Sequence, residues 1–260
     1  MNNVSKTALV SGASRGIGKA IAEELAMNGW DLILTCSKSM KELERFAAYL
    51  RGEAPGEDED AGVCTVHWHL PRAVSVRCVQ CDMGDPEQVR ALFREIDALD
   101  LVVNNAGIPH YGLLQDMSDE EWDRVLAVNL SSVFYTSRAA IPLFLRQGYG
   151  RIINISSVWG SAGASCEAAY SASKGGVNAL TKALARELAP SHIPVNAIAC
   201  GCVDTAMNRH LTGEERSALE EEIPYGRFAR PEEVAAAVAE LAEMPAYLTG
   251  QIITMDGGWT

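Results

Sequence analysis

Three side chains that can move protons lie close together in the middle of this sequence. Tyr170 and Lys174 are four residues apart, a spacing that puts both side chains on one face of a helix. A cation beside a phenol favours the phenolate and lowers its pKa, so the tyrosine becomes a usable proton donor and acceptor near neutral pH. Ser157 follows the apolar run 151–156 and is predicted at a strand end, where its hydroxyl can donate to a substrate oxygen.

These residues fall within a regular alternation of strand and helix patterns. The predicted strands are 7–11, 31–36, 74–80, 99–104, 151–156, 194–199 and 251–255. The predicted helices begin after the glycines near residue 18 and continue at 41–50, 86–95, 119–145, 168–189 and 231–243, with capping-box starts at 118–121 and 212–215. The alternation predicts an α/β fold, a Rossmann-type doubly wound parallel sheet of about seven strands with helices on both faces, in one domain over 1–260.

Composition narrows the classes of partner. The chain has 260 residues, is 48% hydrophobic and carries a formal net charge of −12. An acidic chain without an arginine-rich block is not expected to bind nucleic acid or an anionic membrane. The sequence shows neither a secretory leader pattern nor an apolar run of about 18 residues, so we expect a cytoplasmic protein.

One stretch, 51–72, interrupts the alternation with glycines, prolines and a run of four acidic residues, and it predicts a surface insertion. A cluster of potential metal ligands begins within it: Cys64, His67, His69, Cys78 and Cys81. Cys78 and Cys81 are three apart in a predicted strand and therefore point to opposite faces. We expect reduced thiols here and no metal site.

A glycine-rich loop joins the first predicted strand to the first predicted helix. Gly12, Gly16 and Gly18 allow a pyrophosphate to approach the backbone, and the helix N-terminus offers free N–H groups. A bare glycine triad is a weak signal, but strand, loop and helix are all in place here. The loop therefore predicts a dinucleotide site.

The end of the second predicted strand indicates which dinucleotide is bound. A site for NAD usually has a carboxylate there to bind the ribose hydroxyls. This chain has Ser37 and Lys38 instead, and Arg15 lies in the glycine loop. These three residues can hold a 2′-phosphate, so we predict NADP(H) as the cofactor.

Taken together, the motifs resemble those of the short-chain dehydrogenase/reductase family over the whole chain apart from 51–72. The matching segments are Ser11 to Gly18, Asn104 to Gly107, Asn129, Ser157, Tyr170-x-x-x-Lys174 and Asn196 to Gly201. The resemblance implies an NADP-dependent oxidoreductase that interconverts ketone and alcohol, and a homotetramer or homodimer.

The resemblance also implies roles for individual residues. The catalytic set is Asn129, Ser157, Tyr170 and Lys174, in which Asn129 holds a water for proton relay and Lys174 also binds the nicotinamide ribose. Asp82 contacts the adenine, and Val203 and Thr205 hold the carboxamide. The full expected cofactor set is Gly12, Ser14, Arg15, Gly16, Ile17, Gly18, Ser37, Lys38, Asp82, Met83, Asn105, Ala106, Gly107, Tyr170, Lys174, Gly201, Val203 and Thr205. Cys200 departs from the family pattern, which has proline there.

The substrate stays open between several carbonyl compounds. The chain resembles 3-oxoacyl-acyl-carrier-protein reductases, but the positions of their two carrier-docking arginines fall at Gly148 and Ser191, and the net charge of −12 would repel an acidic carrier. Segments 108–114 and 158–167 resemble reductases of the 5-aminopentanone group on a lysine of elongation factor P. That substrate carries an amine, which Glu167, Asp116 or Glu120 could meet.

Two further alternatives for the function remain. A small ketone, sugar or steroid could be the substrate of the same chemistry. A nucleotide-sensing scaffold without catalysis is the alternative from another class, but such a protein has no need of Ser157, Tyr170 and Lys174 together. Oxidation of NADPH with an activated ketone distinguishes the two classes.

Overall fold

A single parallel sheet forms the centre of the protein. The computed structural model describes residues 5–53, 73–209 and 211–260. Within them the sheet has seven strands in the order β3-β2-β1-β4-β5-β6-β7, and all neighbours pair in parallel. They are β1 (Thr7–Val10), β2 (Asp31–Cys36), β3 (Val76–Gln80), β4 (Leu101–Asn104), β5 (Arg151–Ser157), β6 (Val195–Cys200) and β7 (Ile252–Met255). The predicted doubly wound sheet is confirmed, with strand edges that differ from the prediction by one or two residues.

Helices cover both faces of this sheet. They are α1 (Gly16–Met27), α2 (Met40–Leu50), α3 (Pro86–Arg94), α4 (Asp119–Leu126), α5 (Ser132–Gln147), α6 (Trp159–Ala162), α7 (Ala168–Leu188), α8 (Gly213–Glu222) and α9 (Pro231–Glu243). Along β1, Ala8 and Val10 join a core with α1, α2 and α9, whereas Leu9 joins a core with α3, α5 and α7. The sheet is thus the middle of three layers.

The two predicted capping boxes are present. The backbone N of Glu121 donates to Ser118 Oγ at 3.2 Å, and the backbone N of Ser118 donates to Glu121 Oε2 at 2.9 Å. Thr212 and Glu215 make the same exchange at 3.2 and 2.8 Å. These bonds satisfy the free N–H groups at the starts of α4 and α8.

The predicted long helix over 119–145 is divided by a π turn, Ala127–Ser131, which separates α4 from α5. Asn129 lies in this turn. Its Oδ1 accepts a hydrogen bond from the backbone N of Ile108 at 2.8 Å, and its Nδ2 donates to the backbone O of Ile108 at 3.0 Å. The wide turn lets Asn129 bind the loop after β4, a long-range contact that hydrophobic periodicity does not report.

Buried polar side chains form a row along the sheet face that carries α5 and α7, and we call this row the transverse polar line. Thr136 of α5 donates to Asn104 Oδ1. Asn104 Nδ2 donates to Asn154 Oδ1 at 2.8 Å, and Asn154 Nδ2 donates to Thr181 Oγ1 at 2.9 Å. The line ties α5 and α7 to the central strands β4 and β5, so it fixes the position of α7 relative to Ser157 at the end of β5.

The predicted insertion at 51–72, with the cysteine and histidines in it, lies outside the described residues except for its first three. Cys78 packs on the side of the sheet that carries α1 and α2, and Cys81 on the side that carries α3, so the prediction of opposite faces is confirmed. Across 5–53, 73–209 and 211–260, no group of three His, Cys, Asp or Glu side chains could hold a metal ion. In these same segments no helix combines the length and apolar character needed to span a membrane.

Candidate active site

A cavity of about 670 Å³ opens at the carboxyl ends of the strands, where the strand order reverses between β1 and β4. Its wall includes residues of the glycine loop, the ends of β2 to β6, α7, and the C-terminal segment. The expected site residues line it with two exceptions, Asn129 and Lys38. This is the position at which open α/β sheets bind ligands.

The glycine loop has no room for a side chain at Gly12 or Gly18. Gly12 has φ +67°, and a Cβ there would lie 3.1 Å from the Cα of Ala106. A Cβ on Gly18 would lie 2.4 Å from the backbone O of Gly12. The loop therefore presents bare backbone at the N-terminus of α1, the arrangement that binds a pyrophosphate.

Hydrogen bonds tie this loop to the segment after β4. Ser11 Oγ accepts hydrogen bonds from the backbone N of Asn105 at 2.9 Å and of Ala106 at 3.0 Å. Asn105 Nδ2 in turn donates to the backbone O of Ser11 at 2.9 Å and of Gly12 at 3.2 Å. The two loops on either side of the crevice thus form one rigid wall.

The expected 2′-phosphate side of the cavity includes Arg15 and Ser37. Lys38 is exposed beside Ser37 and does not line the cavity. The cavity wall has no carboxylate at the end of β2, where Cys36 and Ser37 lie. Cation and hydroxyl on this side suit a phosphate better than free ribose hydroxyls.

Arg124 is a cavity residue that sequence reasoning missed. Its Nη1 lies 2.8 Å from Asp82 Oδ2, and both residues line the cavity where adenine is expected. Met83 lines it beside them. The pair joins α4 to the end of β3, and no local pattern could have indicated it because the two residues are far apart in the chain.

The side chains expected to be catalytic lie together, as their spacing predicts. Tyr170 and Lys174 lie one turn apart on α7, with Lys174 Nζ 5.7 Å from the centre of the Tyr170 ring. Lys174 Nζ donates to the backbone O of Ile155 at 2.8 Å. Ser157 Oγ, at the end of β5, accepts a hydrogen bond from the backbone N of Trp159 at 3.2 Å and also bonds with Tyr170.

Asn129 lies beside Ser157, Tyr170 and Lys174 but does not line the cavity. A Cβ on Gly107 would lie 3.5 Å from Asn129 Oδ1 and 3.7 Å from Lys174 Nζ, so the two polar atoms face the same glycine. Asn129 Nδ2 also donates to Ser173 Oγ at 3.2 Å, and Ser173 Oγ donates to the backbone O of Tyr170. Asn129 is therefore linked to the helix that carries the tyrosine.

Burial dominates the electrostatics of the two central groups. It lowers the pKa of Lys174 to about 8. It raises the pKa of Tyr170 above its ordinary value, and the hydrogen bond with Ser157 only partly opposes this effect. The expected lowering of the tyrosine pKa is therefore wrong for this structure, because the loss of solvation outweighs the hydrogen bond with Ser157.

The segment after β6 completes the cofactor side. Gly201, Val203 and Thr205 line the cavity, and Thr205 Cγ2 lies 3.4 Å from the position of a Cβ on Gly16. Cys200, where the family has proline, also lines the cavity but is only 5% exposed. Burial raises the pKa of its thiol to about 12.

The far end of the cavity has aromatic and acidic walls that the motifs did not predict in full. Trp159, Trp259, Tyr111, Glu167 and Glu222 line it. Burial raises the pKa of Tyr111 to about 12, and the charge of Glu167 adds to the effect. Of the three carboxylates expected near an amine, only Glu167 lines the cavity; Asp116 and Glu120 do not.

Comparison with known proteins agrees with this geometry. Residues 56–260 match the family model described as enoyl-(acyl carrier protein) reductase, and residues 6–66 match the model described as short chain dehydrogenase. The 3-oxoacyl-[acyl-carrier-protein] reductase FabG of Escherichia coli is 39% identical over 99% of this chain and 98% of its own length.

FabG of Staphylococcus aureus is 38% identical, with 98% of each chain covered. The uncharacterized oxidoreductase YmfI of Bacillus subtilis is 37% identical over 98% of this chain and 99% of its own. The family models and these full-length similarities agree with the arrangement of Ser157, Tyr170 and Lys174 beside the glycine loop. All of them indicate the same family. The chain belongs to the short-chain dehydrogenase/reductase family of oxidoreductases.

Proposed function

We propose that this protein is an NADPH-dependent reductase that transfers hydride to a ketone. The observation that carries the proposal is the meeting of Ser157, Tyr170 and Lys174 in the same cavity as the glycine loop. The presence of Arg15 and Ser37, without a carboxylate at the end of β2, supports NADP(H) over NAD(H).

The residues act on the carbonyl oxygen while NADPH, when bound, supplies the hydride for the carbonyl carbon. Negative charge grows on that oxygen during the transfer, and Ser157 Oγ donates a hydrogen bond to it. Tyr170 gives its proton to the same oxygen, which completes the alcohol. Donors placed where charge develops contribute a few kcal/mol each in such sites. Lys174 stabilises the phenolate left behind, and Asn129 holds the path by which a proton returns.

The test of this chemistry is Tyr170→Phe. The variant keeps the ring that packs against Lys174 but has no proton to give, so turnover should fall by about 100-fold or more. NADPH binding, measured by fluorescence titration, should persist. Turnover near that of the wild type would refute the assignment of Tyr170 as the proton donor.

Cofactor choice is tested by the ratio of kcat/KM for NADPH to that for NADH. The ratio should favour NADPH in the wild type and should fall by about tenfold or more in Arg15→Gln, because the guanidinium meets only the 2′-phosphate. Lys182→Gln is the matched control: the residue is exposed on α7 and does not line the cavity, so the ratio should not change. A wild type that prefers NADH would sink the assignment.

A 3-oxoacyl thioester is the first candidate substrate, because the FabG relatives carry that activity in their names. Met207, Leu211 and Leu219 provide apolar surface in the cavity for an acyl chain. The two positions associated with carrier docking offer no cation, and Gly148 ends α5 in a left-handed conformation at φ +75°. A free thioester is therefore a better expected substrate than one on an acidic carrier.

An amino ketone is the second candidate, specifically the 5-aminopentanone group on a lysine of elongation factor P. The observation that favours it is the acidic character of the far end of the cavity. Glu167 and Glu222 both line the cavity, and their charges both act on the thiol of Cys202, whose pKa burial raises to about 11. The basic side chains that line the described cavity are Arg15 and Arg124 on the cofactor side and Lys174 in the catalytic set.

A substrate panel distinguishes these candidates. Turnover with NADPH is measured on a 3-oxoacyl thioester, an amino ketone and a simple ketoester. If the amino ketone is the substrate, Glu222→Gln and Glu167→Gln should raise its KM and leave the KM of the ketoester unchanged. Asp116→Gln is the control, since Asp116 does not line the cavity. Preferred turnover of a bulky sugar or steroid ketone would favour a sugar or steroid as the substrate. No NADPH oxidation with any ketone would favour a nucleotide-sensing scaffold.

We also propose a cytoplasmic homotetramer or homodimer that binds neither nucleic acid nor membrane. The net charge of −12 supports the absence of those anionic partners. Sedimentation velocity gives the assembly directly. A monomer at micromolar concentration would contradict the proposed assembly without affecting the proposed chemistry.

A further inference from the structure

The C-terminal end of the chain supplies part of the substrate wall. Trp259 and Trp159 both line the cavity, and their rings meet edge to face with centres 4.9 Å apart and planes at 62°. Edge-to-face contact is a favoured geometry for aromatic pairs. The two rings therefore form a continuous aromatic surface.

Trp159 is held next to the reacting centre. Its backbone N donates to Ser157 Oγ at 3.2 Å. The next residue, Gly160, packs directly on α7, because a Cβ there would lie 2.7 Å from the backbone C of Lys174. Asn178 of α7 also donates to Ser161 Oγ at 3.4 Å. Trp159 is thus fixed relative to Ser157 and to the helix that carries Tyr170.

Trp259 is held by a turn over residues 256–260. The carboxylate of Asp256 accepts hydrogen bonds from the backbone N of Gly258 at 2.9 Å and of Thr260 at 2.8 Å, and from Thr260 Oγ1 at 2.9 Å. A Cβ on Gly201 would lie 2.8 Å from Asp256 Cβ, so the turn packs against the end of β6. These contacts position Trp259 opposite Trp159.

The same turn supports the segment after α8. The backbone N of Tyr225 donates to the backbone O of Gly257 at 3.1 Å. A Cβ on Gly257 would lie 2.9 Å from both Ile223 and Tyr225. One short turn therefore connects the end of β6, the end of α8 and the aromatic pair.

We infer that Trp259, together with Trp159, is a specificity-determining wall that limits the breadth of the group attached to the reacting carbonyl. Asp256 is a positioning residue that holds Trp259 in this wall. The inference rests on the proposed ketone reductase activity, which it deepens by naming the feature of the substrate that is selected. It predicts that compact ketones are accepted and that a broad substituent next to the carbonyl is rejected until a ring is removed.

The test compares two β-ketoesters that differ only in the substituent on the ketone, ethyl acetoacetate with a methyl group and ethyl benzoylacetate with a phenyl group. The ratio of kcat/KM for the phenyl compound to that for the methyl compound should rise about tenfold or more in Trp259→Ala and in Trp159→Ala, the scale of discrimination that pocket shape provides. Trp259→Phe should give a smaller rise. Asp256→Ala should move the ratio in the same direction as Trp259→Ala.

Tyr247→Ala is the matched control, because Tyr247 is 99% exposed and does not line the cavity. A second readout needs no turnover: tryptophan is excited and the emission of bound NADPH is recorded, and the transferred signal should fall in Trp259→Phe while the Kd of NADPH stays within about twofold. Trp259→Phe also serves if Trp259→Ala does not fold.

The outcomes separate the inference from the proposed function. An active wild type whose ratio is unchanged in Trp259→Ala and Trp259→Phe overturns the wall alone. A wild type that reduces no ketone with NADPH overturns the proposed function and the wall with it. A raised ratio in Trp259→Ala and in Trp159→Ala, with an unchanged ratio in Tyr247→Ala, supports the wall.

Discussion

At the scale of single residues, the protonation state of Lys174 has the largest effect on the proposed reaction. It is 4% exposed, its ammonium donates to a backbone carbonyl, and burial lowers its pKa to about 8. Below that pH the side chain is charged, and above it the charge is lost. The proposed reaction needs the charge, because it stabilises the phenolate of Tyr170 after the proton has left.

We expect kcat/KM for NADPH-dependent reduction to fall as the pH rises through about 8. This parameter reports ionisations of the free enzyme, and the pKa of Lys174 in the structure is about 8. The raised pKa of Tyr170 keeps the phenol protonated over the same interval, so the tyrosine does not produce this limb. The measurement is a pH profile from 6 to about 10 in buffers of constant ionic strength. A profile that stays level beyond pH 9.5 would contradict the role given to Lys174.

The cysteines near the site should differ in reactivity according to burial. Cys166 is exposed, whereas Cys200 is 5% exposed and burial raises its pKa to about 12. Since the thiolate is the reactive form, iodoacetamide near neutral pH should alkylate Cys166 at least about tenfold faster than Cys200. Peptide mass spectrometry over a time course measures both rates. Rapid labelling of Cys200 would show that the thiol is accessible from the cavity.

Residue patterns predicted that Ser157, Tyr170 and Lys174 lie together, because the spacing that joins them is local. Tyr170 and Lys174 are joined by one helical turn, and Ser157 by the end of a strand. The same approach missed Arg124 and Trp259, because each acquires its place in the cavity through partners far away in the chain, Asp82 and Trp159 respectively. Burial also depends on the packed structure, so the sequence pattern could not predict the direction of the Tyr170 pKa shift.

At the scale of elements, α6 and α7 must approach closely for the site to form. The contact is made at Gly160, which faces the backbone of Lys174, and at Gly175, where a Cβ would lie 3.2 Å from the backbone O of Gly160. The sequence pattern predicted α7 but not α6, which has only four residues and therefore no amphipathic period. The division of 119–145 was missed for a related reason, since the π turn depends on the bonds of Asn129 to Ile108.

Gly160→Ala should lower the free energy of unfolding by about 1–3 kcal/mol, the cost of adding a methyl group to a packed contact. The new Cβ would lie 2.7 Å from the backbone C and 2.8 Å from the backbone O of Lys174. Gly213→Ala is the matched control at the start of α8, with nothing within 4 Å of its Cβ. It should be neutral or stabilising by up to about 1 kcal/mol. Urea denaturation measures both, and equal effects would contradict the close contact.

At the scale of the whole molecule, the cavity draws on distant parts of the chain. The glycine loop comes from the N-terminal part, and Gly201, Val203 and Thr205 come from the C-terminal part. Both parts belong to one sheet, so a ligand that spans the crevice contacts segments that must all be folded. The doubly wound parallel sheet was predictable because alternating strands and helices leave few topologies, whereas the sequence analysis did not predict the order of the strands.

NADPH should therefore stabilise the whole protein against unfolding. A ligand present at 100 times its Kd adds about 2.7 kcal/mol to the free energy of unfolding. We expect NADPH to raise the Tm more than NADH does at equal concentration, and Arg15→Gln to reduce that difference. Differential scanning fluorimetry is sufficient for the comparison. A larger shift with NADH would argue against the 2′-phosphate site.

The transverse polar line has a consequence for anyone who redesigns this enzyme. Each of Thr136, Asn104, Asn154 and Thr181 supplies the hydrogen-bond partner of the next. A library that varies one of these positions at a time leaves a buried donor or acceptor without its partner, a cost of about 1–3 kcal/mol, and so discards nearly every change. Replacing all four together with apolar side chains of similar volume removes the partners as well as the groups. This part of the core should therefore be engineered as a single four-residue unit.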